Sequence, residues 1–118
     1  MDIEELERIM AEHPWLPRPR YVYLVKERVV GHVEGATLIF RGATPIGSSD
    51  RMALTPDADD VTVVHEMLHL LGFGELAAYP LAPLIRAFRR AFPPIIRREV
   101  RYKKVEEPHP SIEVYERA

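Results

Sequence analysis

Eleven prolines punctuate this 118-residue chain, and they limit where regular elements can run. Proline lacks a backbone N–H and pushes the residue before it out of the helical region. Ahead of Pro14, Asp2 suits a helix N-cap, and Ile3, Leu6, Ile9 and Met10 fall on one face through about Glu12. Trp15-Leu16-Pro17-Arg18-Pro19 reads as an extended connector. From Arg20 to Gly42 the pattern turns to β, with Tyr21 to Val25, Val29-Val30 and Ala36 to Phe40 predicting two or three antiparallel strands. Gly42 to Asp50 reads as a loop and Arg51 to Thr55 as one more short strand. Thr55 or Asp57 is then placed to cap a helix running to about Leu71, with Pro56 in a first-turn position and Gly72-Phe73-Gly74 closing it. A second helical stretch is expected from Glu75 through Phe92, interrupted or kinked at Pro80 and Pro83, and a third from Ile95 to about Val105 after Pro93-Pro94. The segment from Glu106 to Ala118 reads as a tail or an added edge strand.

The length suits one compact domain, 1–118, and nearly half of the residues are hydrophobic. A formal net charge of −2 gives no global pull toward nucleic acid or acidic lipid, so any such attraction must come from a local patch. The chain has no cysteine, which excludes disulfides, thiolate metal sites and a cysteine nucleophile; any metal must sit on His, Asp or Glu. The acidic start, Met1 to Leu6, lacks the pattern of a secretory signal, and the apolar stretch from Met67 to Phe88 is broken by Glu75, Pro80 and Arg86. A cytoplasmic location is the expectation, with no membrane as partner. The absence of Asn and Gln, the wealth of Glu and Arg and the prolines together resemble the composition of a thermophile's protein.

The predicted helix before Gly72 carries His65-Glu66-Met67-Leu68-His69. Residues four apart share a helix face, so His65 and His69 can present two imidazole nitrogens to one zinc ion per chain. Glu66 lies one residue further round, beside the metal, where it can take a proton from water and return it to a leaving amine. Chance supplies this pattern in a chain of such composition roughly 0.02 times. A catalytic zinc takes three protein ligands, and Glu75, just beyond the glycine turn, is the first choice for the third; Glu99 and His109 compete.

The run from Val64 to Glu75 resembles the active-site helix of zincin metallopeptidases, and the brevity and element order resemble the small soluble minigluzincins and selecase-like peptidases. The resemblance implies a small α+β zincin-like domain, with three or four mainly antiparallel strands covered by the first helix and the motif helix, and further helices after them. It implies zinc between His65 and His69, Glu66 as general base, and a peptide or unfolded protein lying along the strand from Arg51 to Thr55. It also implies that 106–118 can act as a regulatory tail, with His109 approaching the zinc and a homodimer forming if tails are exchanged. The continuation resembles metzincins, but Glu75 stands where they have a third histidine, and no methionine follows Met67.

Two other readings stand beside this one. The histidine and glycine spacing also resembles YbeY-type metal-dependent endoribonucleases, which have glycine in place of Glu66 and histidine in place of Glu75. Arg86, Arg89, Arg90, Arg97, Arg98, Arg101, Lys103 and Lys104 can follow a phosphate backbone, although a solvated helix face or ion-pair network explains them equally, and nucleic acid is not the expected partner. The third reading is a non-catalytic zinc-binding module. Tyr79, Tyr102, Tyr115 or an arginine are the candidates to stabilise an oxyanion.

Overall fold

The computed structural model describes residues 1–45 and 49–118. It is an α+β domain in which two antiparallel helices and an N-terminal helix pack around a mixed sheet. The elements run α1 (Ile3–Ala11), β1 (Tyr21–Val25), β2 (Val29–Val33), β3 (Ala36–Phe40), β4 (Gly42–Ala43), β5 (Arg51–Leu54), α2 (Asp60–Leu71), α3 (Glu75–Ala91), β6 (Tyr102–His109) and β7 (Ile112–Arg117).

The main sheet has five strands in the order β4-β5-β1-β7-β6, and β2 pairs only with β3. The sheet thus has more strands than the three or four expected but is mainly antiparallel as expected, with one parallel pairing, of β1 with β5, that makes it mixed. The β2–β3 hairpin turns through Glu34 and Gly35, both at positive φ, which matches the right-handed twist of the strands it joins. An Arg28–Asp57 pair with contacts at 3.0 and 3.1 Å ties its base to the body of the domain.

The alternation of β1 points Val22 and Leu24 inward, where they meet Met52 and Leu54 of β5. Leu6, Ile9 and Met10 of α1 and Val63, Met67 and Leu70 of α2 close this core. Val64 and Leu68, on another face of α2, pack on Ala78 and Ala82 of α3, whose small side chains let the helices approach. Two faces of α2 are thus committed to packing, and the third carries the histidines.

Several expectations are corrected. The N-cap of α2 is Asp59 rather than Thr55 or Asp57: its carboxylate accepts from the Thr62 N–H at 2.8 Å and completes a capping box. Thr55 instead donates its hydroxyl to the Phe40 carbonyl, and Asp57 is engaged by Arg28. The helix α3 continues through Pro80 and Pro83, because the carbonyls these prolines leave unpaired belong to Leu76 and Tyr79 on the exposed side. No helix forms from Ile95 to Val105. Tyr102 onward pairs with β7 instead, and of Ile96 and Val100, whose spacing suggests a helix face, only Val100 is buried. The stretch 106–118 belongs to this hairpin: β6 is a sheet edge, but β7 is an interior strand between β1 and β6. Within the expected loop after Gly42, residues 42 and 43 form β4, while Gly47 and Ser48 lie outside the described residues. Among the described residues, no helix is long and apolar enough to cross a membrane.

Candidate metal centre

The site is built at the C-terminal end of α2, where Gly72 adopts a left-handed conformation with φ of 109°. The Phe73 N–H then returns to the Leu68 carbonyl at 3.1 Å, and the Phe73 carbonyl faces His69 Nδ1 at 2.7 Å. A carbonyl only accepts, so Nδ1 carries a proton, and the lone pair available to a metal is the one at Nε2. The same turn starts α3 and swings Glu75 back over the histidines. Its Oε1 lies 3.0 Å from His65 Nε2 and also contacts His69 Nε2, and the two Nε2 atoms are 3.0 Å apart.

Three electron-pair donors thus converge on one point. They repel one another unless a proton or a cation lies between them, and two imidazoles with one carboxylate are a donor set used by catalytic zinc. Among the described residues, His65, Glu66 and His69 form a group whose ligand atoms lie within 4.8 Å of one another, and it can hold a metal ion. Glu75 joins that group from the solvent side. Burial is the largest single influence on it and pushes its pKa up, but the hydrogen bonds and charges of His65 and His69 together outweigh that push and hold the carboxyl below its ordinary range.

Glu66 occupies a different environment. It is 4 % exposed, and burial raises its pKa; the hydrogen bond from Thr44 Oγ1 at 2.5 Å and the neighbouring histidines pull the other way without cancelling the rise. Thr44 follows β4, whose Gly42 lies so close to α2 that a Cβ there would meet Thr62 Cγ2 at 3.0 Å and Glu66 Cγ at 3.2 Å. A side chain at 42 would therefore push these neighbours, Glu66 among them, aside by a few tenths of an ångström. Neither Thr44 nor Gly42 is signalled by any motif, because their roles arise only when β4 pairs with β5.

Two clefts flank the cluster and share Gly42, Glu66 and Glu75 on their walls. One, of about 890 Å³, runs under the β2–β3 hairpin past Leu38, Phe40 and Tyr79; the other, of about 590 Å³, runs past Thr44, His69 and Phe73. The strand beside them is β4, which covers Ala53 and Leu54, so β4 rather than β5 offers the sheet's free edge here.

The structure separates the remaining candidates. Glu99 pairs with Arg101 on the surface, and His109 hydrogen-bonds Ser111 in the β6–β7 turn. Tyr79 packs edge-on against His65 at 5.3 Å between ring centroids, whereas Tyr102 is buried and donates to the Pro19 carbonyl, and Tyr115 lies in β7. Arg86 is buried against Asp60, Glu12 and His13, so it is no part of a phosphate-binding face. Comparison with family models, with curated proteins and with solved structures finds no match for this chain.

Proposed function

We infer that this chain is a zinc-dependent peptidase in which His65, His69 and Glu75 hold the metal and Glu66 is the general base. The observation that supports the reading is the convergence of two imidazole nitrogens and one carboxylate oxygen beside a second, buried carboxylate. Zinc bound by such a set supplies Lewis acidity toward a carbonyl oxygen and acidifies water.

The chain's own residues divide the other tasks. Burial makes Glu66 more basic than an exposed carboxylate, which suits it to accept a proton from the attacking water and pass it to the leaving nitrogen. Thr44 fixes the orientation of that carboxylate. The Phe73 carbonyl holds His69 in the tautomer that ligates through Nε2. The free edge of β4 can take an extended peptide as an added strand, with its backbone running past Glu66 and its side chains alternating between the two clefts. Tyr79, against His65 in the larger cleft, is the phenol best placed to meet a developing oxyanion.

The test is Glu66→Gln assayed for bound zinc and for cleavage of an unfolded protein. Zinc should stay at one per chain while cleavage falls about 100-fold or more. A variant that cleaves normally removes the peptidase reading.

A further inference from the structure

Beyond the end of α3 the chain exposes an apolar knuckle that the core does not use. Phe92, Ile95 and Ile96 flank Pro93-Pro94, and Ile95 has no part of its side chain covered. The surface continues along α3. The Phe88 and Phe92 rings lie 5.1 Å apart, and Phe88 shares a shallow apolar cleft with Leu84, Arg89 and Trp15, itself 86 % exposed. Monomeric proteins rarely leave so much contiguous apolar surface open without a partner.

The charges along the segment that carries the knuckle are one-sided. Residues 86–101 hold six arginines and a single acid, Glu99. Asp60 engages Arg86 and Arg90, and Glu99 engages Arg101. Among the described residues, Arg89, Arg97 and Arg98 have no carboxylate within ion-pair distance. The loop is also held in place. The Arg98 N–H bonds the Ala11 carbonyl at 3.2 Å, and the Arg98 carbonyl accepts from Arg18 at 2.5 Å, so the knuckle is pinned where it leaves the body.

We propose that this knuckle, with its collar of Arg89, Arg97 and Arg98, docks on an anionic membrane surface. Aliphatic side chains at the tip with cations behind them fit a lipid interface, where the tip enters the acyl boundary and the guanidinium groups stay among the phosphates. The two prolines carry no N–H, so the segment that enters brings two fewer donors needing partners in the apolar layer. Single-stranded nucleic acid fits less well, because bases stack on aromatic faces and the tip presents isoleucines. The net charge of −2 for the whole chain does not reveal this local run of arginines, and Glu4 and Glu7 of α1 share a cleft with Arg97 without pairing with it.

Flotation with vesicles tests this, and the chain's single tryptophan, Trp15, reports on the same surface. The protein should float with phosphatidylcholine vesicles containing phosphatidylglycerol and remain behind with phosphatidylcholine alone. Trp15 emission should shift to the blue on binding, and about 0.5 M salt should release the protein. Arg97→Gln with Arg98→Gln should weaken binding about thirtyfold, and Ile95→Ser with Ile96→Ser at least tenfold; all four side chains are exposed, so unchanged thermal melts are expected. Failure to bind the anionic vesicles overturns the proposal, as does full binding by the serine variant. A dimer that the serine variant dissociates, without vesicle binding, assigns the surface to a second copy. RNA binding that only the arginine variant loses, again without vesicle binding, assigns it to nucleic acid. Either result overturns the membrane proposal.

Discussion

Lowering the pH should destabilise this fold through one histidine far from the candidate metal centre. His13 follows α1 and is 2 % exposed, with its Nε2 at 3.2 Å from the Arg86 guanidinium. Arg86 has only donors, so Nε2 must accept, and the ring is neutral. Burial is the largest cause lowering its pKa, followed by the positive charges of Arg86 and Arg89; Glu12 and Asp60 oppose them, and the result is a fall from 6.5 to about 4. The unfolded chain therefore binds a proton at pH 5 that the folded chain refuses. Stability from this group is complete above pH 6.5 and is lost as pH falls from there to about 4. At 1.36 kcal/mol per unit, the loss is on the order of 3 kcal/mol, a large share of a typical domain's stability. With a urea slope of about 2 kcal/mol per molar, the midpoint should fall by about 1.5 M more in the wild type than in His13→Gln. The glutamine keeps an acceptor for Arg86 and cannot protonate, and carboxylates that titrate in the same window cancel in the comparison. Parallel midpoint curves for the two proteins between pH 7 and pH 4 would refute the reasoning.

Three further outcomes concern the site and the sheet. Glu75→Ala should lower zinc affinity at least tenfold in competition with a chromophoric chelator, while Glu99→Ala and His109→Ala leave it unchanged; equal affinity in all three removes Glu75 from the ligand set. Thr44→Val deletes the hydrogen bond that pulls the Glu66 pKa down, so the acid limb of the pH–rate profile should move to higher pH. A limb that stays or moves down contradicts the assigned role of Thr44. Deleting 106–118 removes an interior strand and should abolish cooperative unfolding in urea; a truncated chain that still melts cooperatively would show that β7 is dispensable.

What the sequence made legible was local. The Asp2 cap, the bounds of β1 and β3, the end of α2 at Gly72 and the helical face shared by His65 and His69 all depend on neighbours within four residues. Glu75 was within reach for the same reason, since one glycine turn separates it from His69. The pairing of strands was not legible. Tyr21 lies beside Glu116, a contact across nearly the whole chain, and no local pattern says that β7 rather than β2 is the neighbour of β1. The same long-range pairing decides Tyr102 to Val105, where the spacing of Ile96 and Val100 suggests a helix continuing to Val105 but the β7 partner makes a strand. The choice of Asp59 over Asp57 as cap also needed three dimensions, since Arg28 reaches over from the connection between β1 and β2 to occupy Asp57.

The two ends of the α2–α3 pair connect the pH argument to the site. At one end, Gly72 turns the chain and Glu75 closes over His65 and His69. At the other, Asp60 in the first turn of α2 binds Arg86 and Arg90 near the end of α3, and Arg86 reaches Glu12 and His13 behind it. Between them the helices pack through Val64 and Leu68 on Ala78 and Ala82, with Val61, Leu81 and Ile85 alongside, so a displacement at one end is carried along the pair to the other. The position of Glu75 therefore depends on the ion cluster as well as on its own turn. A carboxylate that must meet two nitrogens tolerates only small displacement, so a helix pair clamped at both ends is what keeps a largely exposed glutamate in a ligand's place.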